Sequence, residues 1–536
     1  MRQLWSLPQD IILIILNYLE AHELLRLQLT SRASQNTFSE PIYLRTILRQ
    51  YTQTCELRKL SASTLEAESV LRDVFRKIAI RYHHLGRGRA RKVQRLDLRC
   101  LDQSGQWQAP PQWDYHESQP GGRLYHETAG SHLRGVGWKP YLFRPTLWSY
   151  DDGLIVYVPA VSSQNNGATH VGGDGNERSA RSTDVKRNDN DNVRIEVLDL
   201  DSGNVGVVPF FFDSKIVRNL RLKERTLIVE WAERESFHEL NMVDKVHRHF
   251  STCFDISHDN QLKVTFRSEW RIHFLGFPLT SRDYFFSTHT SQHYALYYWQ
   301  PNRSLWTGDE DQPIEALFVW DIASPSNYRP SRDPSNTHIR RLSREGRSIG
   351  PEFVARYSMR ELEWLGIRQQ ASTGLTKFEL DSGSHLLHWY ENKFSNQYGY
   401  FDPAERSWES TTTSFPFIGE GPVLKRTSDV ELPSYRGHCT MDSHEIKADI
   451  ESWFLPVNEI GDLYSQVRFA LIETCFTGLV VENRLLARLQ VGEDQEWRNL
   501  DDGLSQEISA MGRIAGDERW LIGQNKRMQI VIARFQ

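Results

Sequence analysis

The sequence is poor in cysteine, and its cysteines are not spaced for a metal site or for a disulfide scaffold. Five of them are spread over 536 residues without a CxxC pair: Cys55, Cys100, Cys253, Cys439 and Cys475. An odd, scattered set is typical of reduced thiols in the cytosol or the nucleus. The sequence therefore predicts a cytoplasmic or nuclear protein, or one found in both compartments.

Long hydrophobic runs and an excess of one charge are also absent. The apolar run Ile11–Leu16 is far shorter than the roughly 20 residues that cross a bilayer. Asp10 and the lack of a small-residue cleavage site do not fit a signal peptide. The 64 lysines and arginines nearly balance 69 aspartates and glutamates, for a net charge of −5. No bulk field recruits polyanions, so we expect neither a nucleic-acid nor a membrane partner.

Recognisable catalytic motifs are missing as well. The sequence contains no GxSxG, HExxH, P-loop or GxGxxG pattern, which are the usual signatures of nucleophile elbows, zinc sites and phosphate cradles. The pairs His83-His84 and His247-x-His249 have no carboxylate or cysteine companion, and Asp199–Gly203 is typical of a turn between strands rather than a calcium site. The sequence predicts a non-enzymatic protein without cofactor or metal.

What is present begins at the N-terminus with two short amphipathic helices. Pro8 stands where the first helical turn tolerates proline. A second short helix is predicted from about Ala21 to Thr30. The first carries an apolar face at Leu7, Ile11, Ile12, Ile15, Leu16 and Leu19, and the second at Leu24, Leu25, Leu27 and Leu29. Helices this short are marginal alone and must bury these faces against something.

The residues of this segment follow the pattern LPxDIIxxILxYLxxxELLxLxxTSR, which resembles an F-box. The pattern departs from the family after Arg32, where the next aromatic residue comes only at Phe38. The resemblance implies docking on Skp1, and through it on a cullin–RING ubiquitin ligase. The residues implied to contact Skp1 are Leu7, Pro8, Ile11, Ile15, Leu16, Leu24 and Leu25. The alternative is a helical hairpin that packs only on the domain behind it.

The rest of the chain changes from a helical to a strand period. A helical pattern over 63–82 ends near Gly86, and alternation then begins at Val93–Leu98 and returns at Gly153–Val158 and Val193–Leu200. We therefore expect an α+β multidomain protein. The predicted parts are a small all-α F-box domain at 1–50, a helical linker at 51–90 and a large all-β domain at 91–536.

A loosely repeated strand pair, together with 16 tryptophans and 11% aromatic residues, favours a β-propeller for the all-β domain. At about 40–50 residues a blade, it would hold roughly six to eight blades. The C-terminal strand Met528–Phe535 suits ring closure beside an early strand. A β-sandwich array or two stacked β-domains is the alternative. The layout is similar to that of fungal F-box proteins with β-rich C-terminal regions.

Two segments interrupt the β pattern. Residues 162–192 lack large apolar side chains and 324–350 are rich in proline and arginine, so both are predicted to be disordered insertions. Within the second, Arg340-Arg341-Leu342-Ser343 resembles a basophilic kinase site, so Ser343 is a candidate phosphorylation site. A basic run from Arg81 to Arg95 is interpreted as a solvated seam between linker and β-domain, with a localisation signal or a phosphate-binding patch as alternatives.

These features together predict a substrate-recognition adaptor of an SCF-type ubiquitin ligase. The F-box would dock on Skp1, and the β-domain would bind an unknown protein substrate. One alternative is a Skp1-bound scaffold without ligase function. The other is a β-propeller enzyme whose site lies in the central channel.

Overall fold

The fold consists of an N-terminal group of helices followed by antiparallel sheets. The computed structural model describes residues 7–52, 54–59, 67–98, 147–160, 193–239, 245–258, 261–272, 277–278, 284–300, 312–336, 341, 349–369, 375–395, 407–418, 425–429, 453–461, 467–475, 484–491, 498–510 and 514–536. The first predicted insertion, 162–192, and Ser343 lie outside these residues. In the part of the chain that is described, no helix is long and apolar enough to cross a membrane.

The described part of the helical region contains six α-helices and one 3-10 turn. They are α1 (Gln9–Leu16), α2 (Ala21–Gln28), α3 (Arg32–Phe38), α4 (Pro41–Leu48), the 3-10 turn Arg49–Tyr51, α5 (Cys55–Lys59) and α6 (Glu68–Leu85). Local signals explain where they begin. Glu20 and Glu23 form a reciprocal capping box at the start of α2, and the Ser31 side chain accepts a hydrogen bond from the Ser34 amide at the start of α3. The third helix therefore forms although the family pattern departs there.

The remaining chain forms 27 strands, two further short α-helices and the 3-10 turn Pro330–Arg332 within the described residues. The strands are β1 (Lys92–Asp97), β2 (Trp148–Asp151), β3 (Leu154–Tyr157), β4 (Glu196–Asp199), β5 (Val205–Val207), β6 (Lys215–Lys223), β7 (Thr226–Glu233), β8 (His238–Glu239), β9 (Lys245–His247), β10 (His249–His258), β11 (Leu262–Arg271), β12 (Phe277–Pro278), β13 (Tyr284–His289), β14 (His293–Gln300), β15 (Ile314–Asp321), β16 (Glu352–Tyr357), β17 (Leu375–Asp381), β18 (Leu386–Ser395), β19 (Ser407–Pro416), β20 (Lys425–Asp429), β21 (Trp453–Gly461), β22 (Val467–Cys475), β23 (Arg484–Val491), β24 (Arg498–Asn499), β25 (Ile514–Gly516), β26 (Trp520–Gln524) and β27 (Gln529–Arg534). The helices are α7 (Met359–Trp364) and α8 (Asp502–Ser509).

The strands build six four-stranded antiparallel sheets and one small three-stranded sheet in the described ranges. Five of the large sheets run β2 to β5, β6-β7-β10-β11, β13 to β16, β17 to β20 and β21 to β24, and the sixth has the order β1-β27-β26-β25. The first strand of one sheet contacts the first strand of the next: β25 with β2, β2 with β6, β6 with β13, β13 with β17, and β21 with β25. Radially repeated four-stranded sheets are the architecture of a β-propeller, as predicted.

The last sheet is completed by strands from distant parts of the sequence. β1 pairs antiparallel with β27, from Lys92 opposite Arg534 to Asp97 opposite Gln529. The side-chain amide of Gln529 also donates to the Asp97 carboxylate at 2.7 Å. The early strand predicted to meet the C-terminal strand is therefore β1, which forms the outer edge of the last sheet.

Middle strands of the sheets are buried along nearly their whole length. Every residue of β3 is buried, and so is every residue of β7 except the last. A strand covered by a neighbouring sheet on each face reads as a continuous apolar run rather than as alternation. The segments Leu154–Tyr157 and Leu227–Val229 have that composition.

The helices and the last two large sheets share one hydrophobic core. Its buried members come from α1 to α4 and α6, from the sheet of β21 to β24 and from the sheet of β25 to β27. α8 packs into the same core, so closely that a Cβ atom on Gly523 of β26 would lie 2.2 Å from the carbonyl oxygen of Ile508. The helices and this side of the propeller are thus one packed unit, and divisions at residues 50 and 90 remain predictions about sequence organisation.

The helices contact one face of the propeller. The Cys55 amide donates to the Glu518 carboxylate at 2.9 Å, and the Cys55 thiol lies 3.8 Å from the Asp152 carboxylate. Glu518 and Asp152 stand in the turns between the first and second strands of neighbouring sheets. Because antiparallel strands alternate in direction, all such turns lie on the same face of the ring.

The first part of the segment predicted as a second disordered insertion is packed instead. Residues 324–336 are described, and Ser331 donates to the Glu269 carboxylate of β11 through both its amide and its hydroxyl, at 3.1 and 2.6 Å. The Tyr328 hydroxyl donates to Asp333, and the Arg329 guanidinium stacks 3.9 Å from the centre of the Phe266 ring. Proline and arginine content predicted mobility, but here these side chains bind the outer strand of a sheet.

Candidate partner-binding surface

The outer side of α1 exposes a row of large apolar residues. Ile11 is 44% exposed, Ile14 55% and Tyr18 84%. They follow one another at three and four residues, so they lie on one face of the helical segment. Ile12 and Leu16, on the opposite side, are buried in the core. An apolar row that the protein itself does not cover is a surface suited to binding another protein.

The structure divides the residues that the F-box resemblance implies for Skp1 binding. Pro8 and Ile11 are exposed, and Leu7, Ile15 and Leu25 are partly buried.

Two of the implied residues are placed differently. Leu16 and Leu24 have no exposed surface and pack in the core shared by the helices and the propeller. As the chain is folded here, they lie behind the exposed row and do not reach its surface. The periodicity did not separate them from the exposed set because α1 and α2 are apolar on more than one side.

Sequence reasoning left three exposed residues out of the site: Ile14, Tyr18 and Leu29. Leu29 is 77% exposed at the end of α2. Ile14 and Tyr18 could have been found by extending the helical spacing from Ile11. The exposed row begins at Ile11, and the buried row begins one residue later, at Ile12. Both rows consist of large apolar residues at helical spacing, so the sequence alone does not show which of them is buried.

Hydrogen bonds fix the positions of α2 and α3 behind this face. The Ala21 amide donates to the Tyr51 hydroxyl at 3.1 Å, and Tyr51 packs edge-on against Tyr82 of α6. Burial raises the pKa of Tyr51 to about 12, so the phenol remains neutral and available as an acceptor. The Ser34 hydroxyl of α3 donates to the Leu27 carbonyl at 2.6 Å. The exposed residues therefore stand on a rigid support.

A buried charge cluster joins α5 and α6 to the propeller. Arg81 has no exposed side-chain surface and binds the carboxylates of Glu56 and Glu518. Burial opposes the charge on Arg81, but these two carboxylates outweigh it and raise the pKa of the guanidinium. Burial, and then the neighbouring Asp517, raises the pKa of Glu518. The interpretation of the basic run as a solvated seam was therefore wrong for Arg81, which lies inside the seam and is paired.

The second arginine of this cluster ties together turns of two sheets. Arg519 binds Asp517 in its own turn, Asp152 at 2.8 Å in the β2–β3 turn and Asp201 at 2.9 Å beyond β4. The Tyr150 hydroxyl adds a 2.8 Å bond to Asp517. We refer to Arg81, Glu56, Glu518, Arg519 and their carboxylate partners as the junction cluster. It holds the helices in one orientation against the ring.

Nothing in the described residues adds a catalytic arrangement to this surface. Among them, no group of three or more histidine, cysteine, aspartate or glutamate side chains is placed to hold a metal ion. Cys253 is buried, and burial raises the pKa of its thiol to about 12, which makes it a poor nucleophile. What the described residues show is an exposed apolar row on α1, held in place by the packed helices behind it.

Comparison with known protein families identifies the N-terminal helices. Residues 4–46 match the family model of the F-box domain, so the chain carries an F-box domain and α1 to α3 lie within it. F-box proteins are typically non-catalytic adaptors that bind Skp1. No curated protein matches the chain in sequence.

Solved structures give only distant likenesses. A crystal structure of the mitotic checkpoint complex is 8% identical over 75% of this chain and 93% of its own, with a TM-score of 0.29. The β-propeller domain of the trilobed protease from Pyrococcus furiosus is 9% identical over 65% of this chain and 81% of its own, at 0.24. An alpha-L-arabinanase from Penicillium chrysogenum is 11% identical over 59% and 76%, at 0.27. At such scores none of them carries an argument about this chain, and the fold rests on its own sheets.

Proposed function

We propose that this chain is a substrate adaptor of an SCF-type ubiquitin ligase, which docks on Skp1 through the outer face of α1 and α2. The observation that carries the proposal is the exposed row of Ile11, Ile14 and Tyr18 within the matched F-box residues. Helix faces of this kind are recognised by apolar grooves, with much of the energy in a few anchors. Such a role places the protein in the cytoplasm or the nucleus.

The propeller would then bind the protein to be ubiquitinated. The helices occupy one face of the ring, and the junction cluster prevents them from swinging freely. A target held on the rest of the propeller would keep a fixed distance from the docked ligase. Transfer of ubiquitin is then a proximity effect, in which the target lysine meets the charged conjugating enzyme at a raised effective concentration. No residue of this chain takes part in the bond-forming step.

Co-purification with Skp1 tests the docking step. Wild-type chain is compared with a variant carrying Ile11→Ala, Ile14→Ala and Tyr18→Ala, all exposed, and we expect wild type to retain Skp1 and the variant to lose it. The matched control is Val205→Ala with Val207→Ala, because both valines are 52% exposed on β5, an outer strand of the propeller. The control variant should bind Skp1 as wild type does.

Two outcomes would contradict the proposal. Equal Skp1 recovery with the triple variant would show that the exposed face is not the docking site. No recovery even with wild type would show that these helices serve only to pack. If Skp1 binds but added cullin and RING subunits are not recruited, the chain is a Skp1-bound scaffold without ligase function.

A further inference from the structure

The connection between β15 and β16 crosses to the neighbouring sheet. We refer to its first described part, residues 324–336, as the strap. The Ser326 amide of the strap donates to the Arg267 carbonyl of β11 at 2.8 Å. β11 is the outer strand of the sheet β6-β7-β10-β11, whereas the strap leaves from the sheet of β13 to β16. The outer edge of one sheet therefore carries a segment that comes from outside that sheet.

A buried carboxylate of β11 receives the strap. Glu269 is only 2% exposed, and one of its oxygens accepts from both the amide and the hydroxyl of Ser331, at 3.1 and 2.6 Å. The 3-10 turn Pro330–Arg332 holds the two donors of Ser331 together. The other oxygen accepts from Thr252 of β10 at 3.3 Å. A buried carboxylate requires donors of this kind, so Glu269 selects a segment that presents a hydroxyl beside its own backbone amide.

A second contact on the same strand selects an arginine. The Arg329 guanidinium lies 3.9 Å from the centre of the Phe266 ring, which is the geometry of a cation–π interaction. Burial lowers the pKa of Arg329, and the nearby Glu269 carboxylate offsets part of that effect. Arg329 and Ser331 are two residues apart, with Pro330 between them. Phe266 and Glu269 together therefore recognise the short sequence Arg-Pro-Ser.

The strap is held mainly by side chains rather than by a backbone ladder. Three of its thirteen residues are prolines, which have no amide to donate. Its regular structure is one 3-10 turn of three residues, and Arg332, Pro334 and Ser335 after the anchors are exposed. A segment held in this way opens at a lower free energy than the strands beneath it. Another segment with the same side chains can therefore compete with it for β11.

We propose that the strap is an internal ligand, and that the outer edge of β11 binds an extended, proline-containing segment of the target with the sequence Arg-Pro-Ser. The inference rests on the proposed function, which assigns target binding to the propeller. The strap closes the site from within the chain, and a target segment binds by displacing it. Proline before the serine favours an extended conformation in advance, which reduces the entropy lost on binding.

Binding of the strap sequence as a separate peptide tests this inference. The probe is a labelled peptide of residues 326–336, added to the full chain and followed by fluorescence anisotropy. Two variants open the site: one replaces residues 327–336 with glycine and serine, and the other carries only Arg329→Ala and Ser331→Ala, which keeps the backbone of the strap. We expect both to bind one peptide per chain. Wild type should bind at least roughly tenfold more weakly, because the attached strap competes at an effective concentration on the order of 1 mM.

Matched controls separate recognition from bulk charge. A peptide with alanine in place of its Arg-Pro-Ser arginine and serine should bind at least roughly tenfold more weakly, because both anchors are lost. Glu269→Gln in an opened variant should weaken binding of the strap peptide, whereas Glu68→Gln, which removes the same charge from an exposed position on α6, should not.

The inference is wrong if the strap peptide binds neither opened variant, if wild type binds it as tightly as they do, or if the alanine peptide binds equally well. Skp1 recovery by the opened variants should equal that of wild type. Measured in the same preparations, it keeps a failure of this site distinct from a failure of the docking proposal.

Discussion

The outer face of α1 and the junction cluster lie in the same helical region and differ in what covers them. The first is apolar and open to solvent, with Tyr18 84% exposed. The second is charged and closed, with the side chains of Arg81 and Glu518 fully buried. Each reverses the usual rule that apolar groups lie inside and charges outside.

The reversal separates two tasks. An apolar face that the chain leaves open gains stability only when another surface covers it. A buried ion cluster gives little net stability, but it is strongly destabilised when one partner is removed, so it specifies a single arrangement. The first is therefore suited to binding, and the second to orientation. Four predictions test this contrast and the stability of the surrounding fold.

Removal of Arg81 should have the largest effect. Arg81→Met leaves Glu518 buried without its partner, and we expect a loss of about 3–5 kcal/mol in the free energy of unfolding, measured by urea denaturation with tryptophan fluorescence. Arg72→Met on the same helix is the control, because Arg72 pairs with Glu68 in an exposed position where about 0–1 kcal/mol is expected. Equal losses would mean that the junction cluster does not behave as a buried ion pair. Adding Glu518→Gln to Arg81→Met should recover part of the loss.

Leu24 and Leu29 provide the next comparison, because they are five residues apart at α2. Leu24→Ala empties a fully buried position and should cost about 2–5 kcal/mol in unfolding free energy. Leu29→Ala changes a residue that is 77% exposed and should stay within about 0.5 kcal/mol of wild type. If Leu24→Ala were equally mild, Leu24 would belong to the binding face, as the F-box resemblance implied.

Near the junction cluster, the pH dependence of the free energy of unfolding can be traced to Asp151. Burial raises the pKa of this carboxyl from 3.8 to about 6, so the fold favours its protonated form. The contribution of this raised pKa to the free energy of unfolding is fully present below about pH 4. It is lost as the pH rises from about 4 to 6.

Asp151→Asn keeps the neutral form and can still accept from the Glu224 amide. As the pH rises from about 4 to 6, the free energy of unfolding of the variant should therefore increase relative to wild type by an amount on the order of 1–3 kcal/mol. Above about pH 6 the difference should stay constant. Urea denaturation of both proteins at pH 4, 5, 6 and 7 measures this. A constant difference at all four values would contradict the burial argument.

The smallest effect on stability is expected at Tyr18. Tyr18→Ala should leave the free energy of unfolding within about 0.5 kcal/mol of wild type while it lowers Skp1 recovery in co-purification, because an exposed aromatic anchor is lost. A stability loss of several kcal/mol would place Tyr18 in the core. Unchanged Skp1 recovery would restrict the docking face to the residues before it.

The sequence was sufficient for the fold class and for the strands that are buried on both faces. Leu154–Tyr157 and Gln529–Arg534 are short apolar runs that predict strands, and the closing role of the C-terminal strand followed from its position. The F-box pattern likewise located α1 and α2 before any coordinates, and the family comparison confirms it.

The burial of individual residues on α1 and α6 could not be predicted from the sequence, for a physical reason. Whether Leu16 or Ile14 faces the core depends on which side of α1 packs against α4, a contact between residues far apart in the local sequence pattern. The burial of Arg81 depends on Glu518, more than 400 residues away. Composition records neither contact, so a basic run near a helix end was interpreted as solvated.

The strand pair β1 and β27 also bears on how the chain is made. Hydrogen-bonded residues of this pair, such as Asp97 and Gln529, are 432 positions apart, and long-range pairing of this kind forms slowly. On the ribosome β1 emerges long before its partner and waits with an unpaired edge while the other sheets assemble. The helices face the same delay, because part of their shared core, from Val467 to Phe535, is translated last.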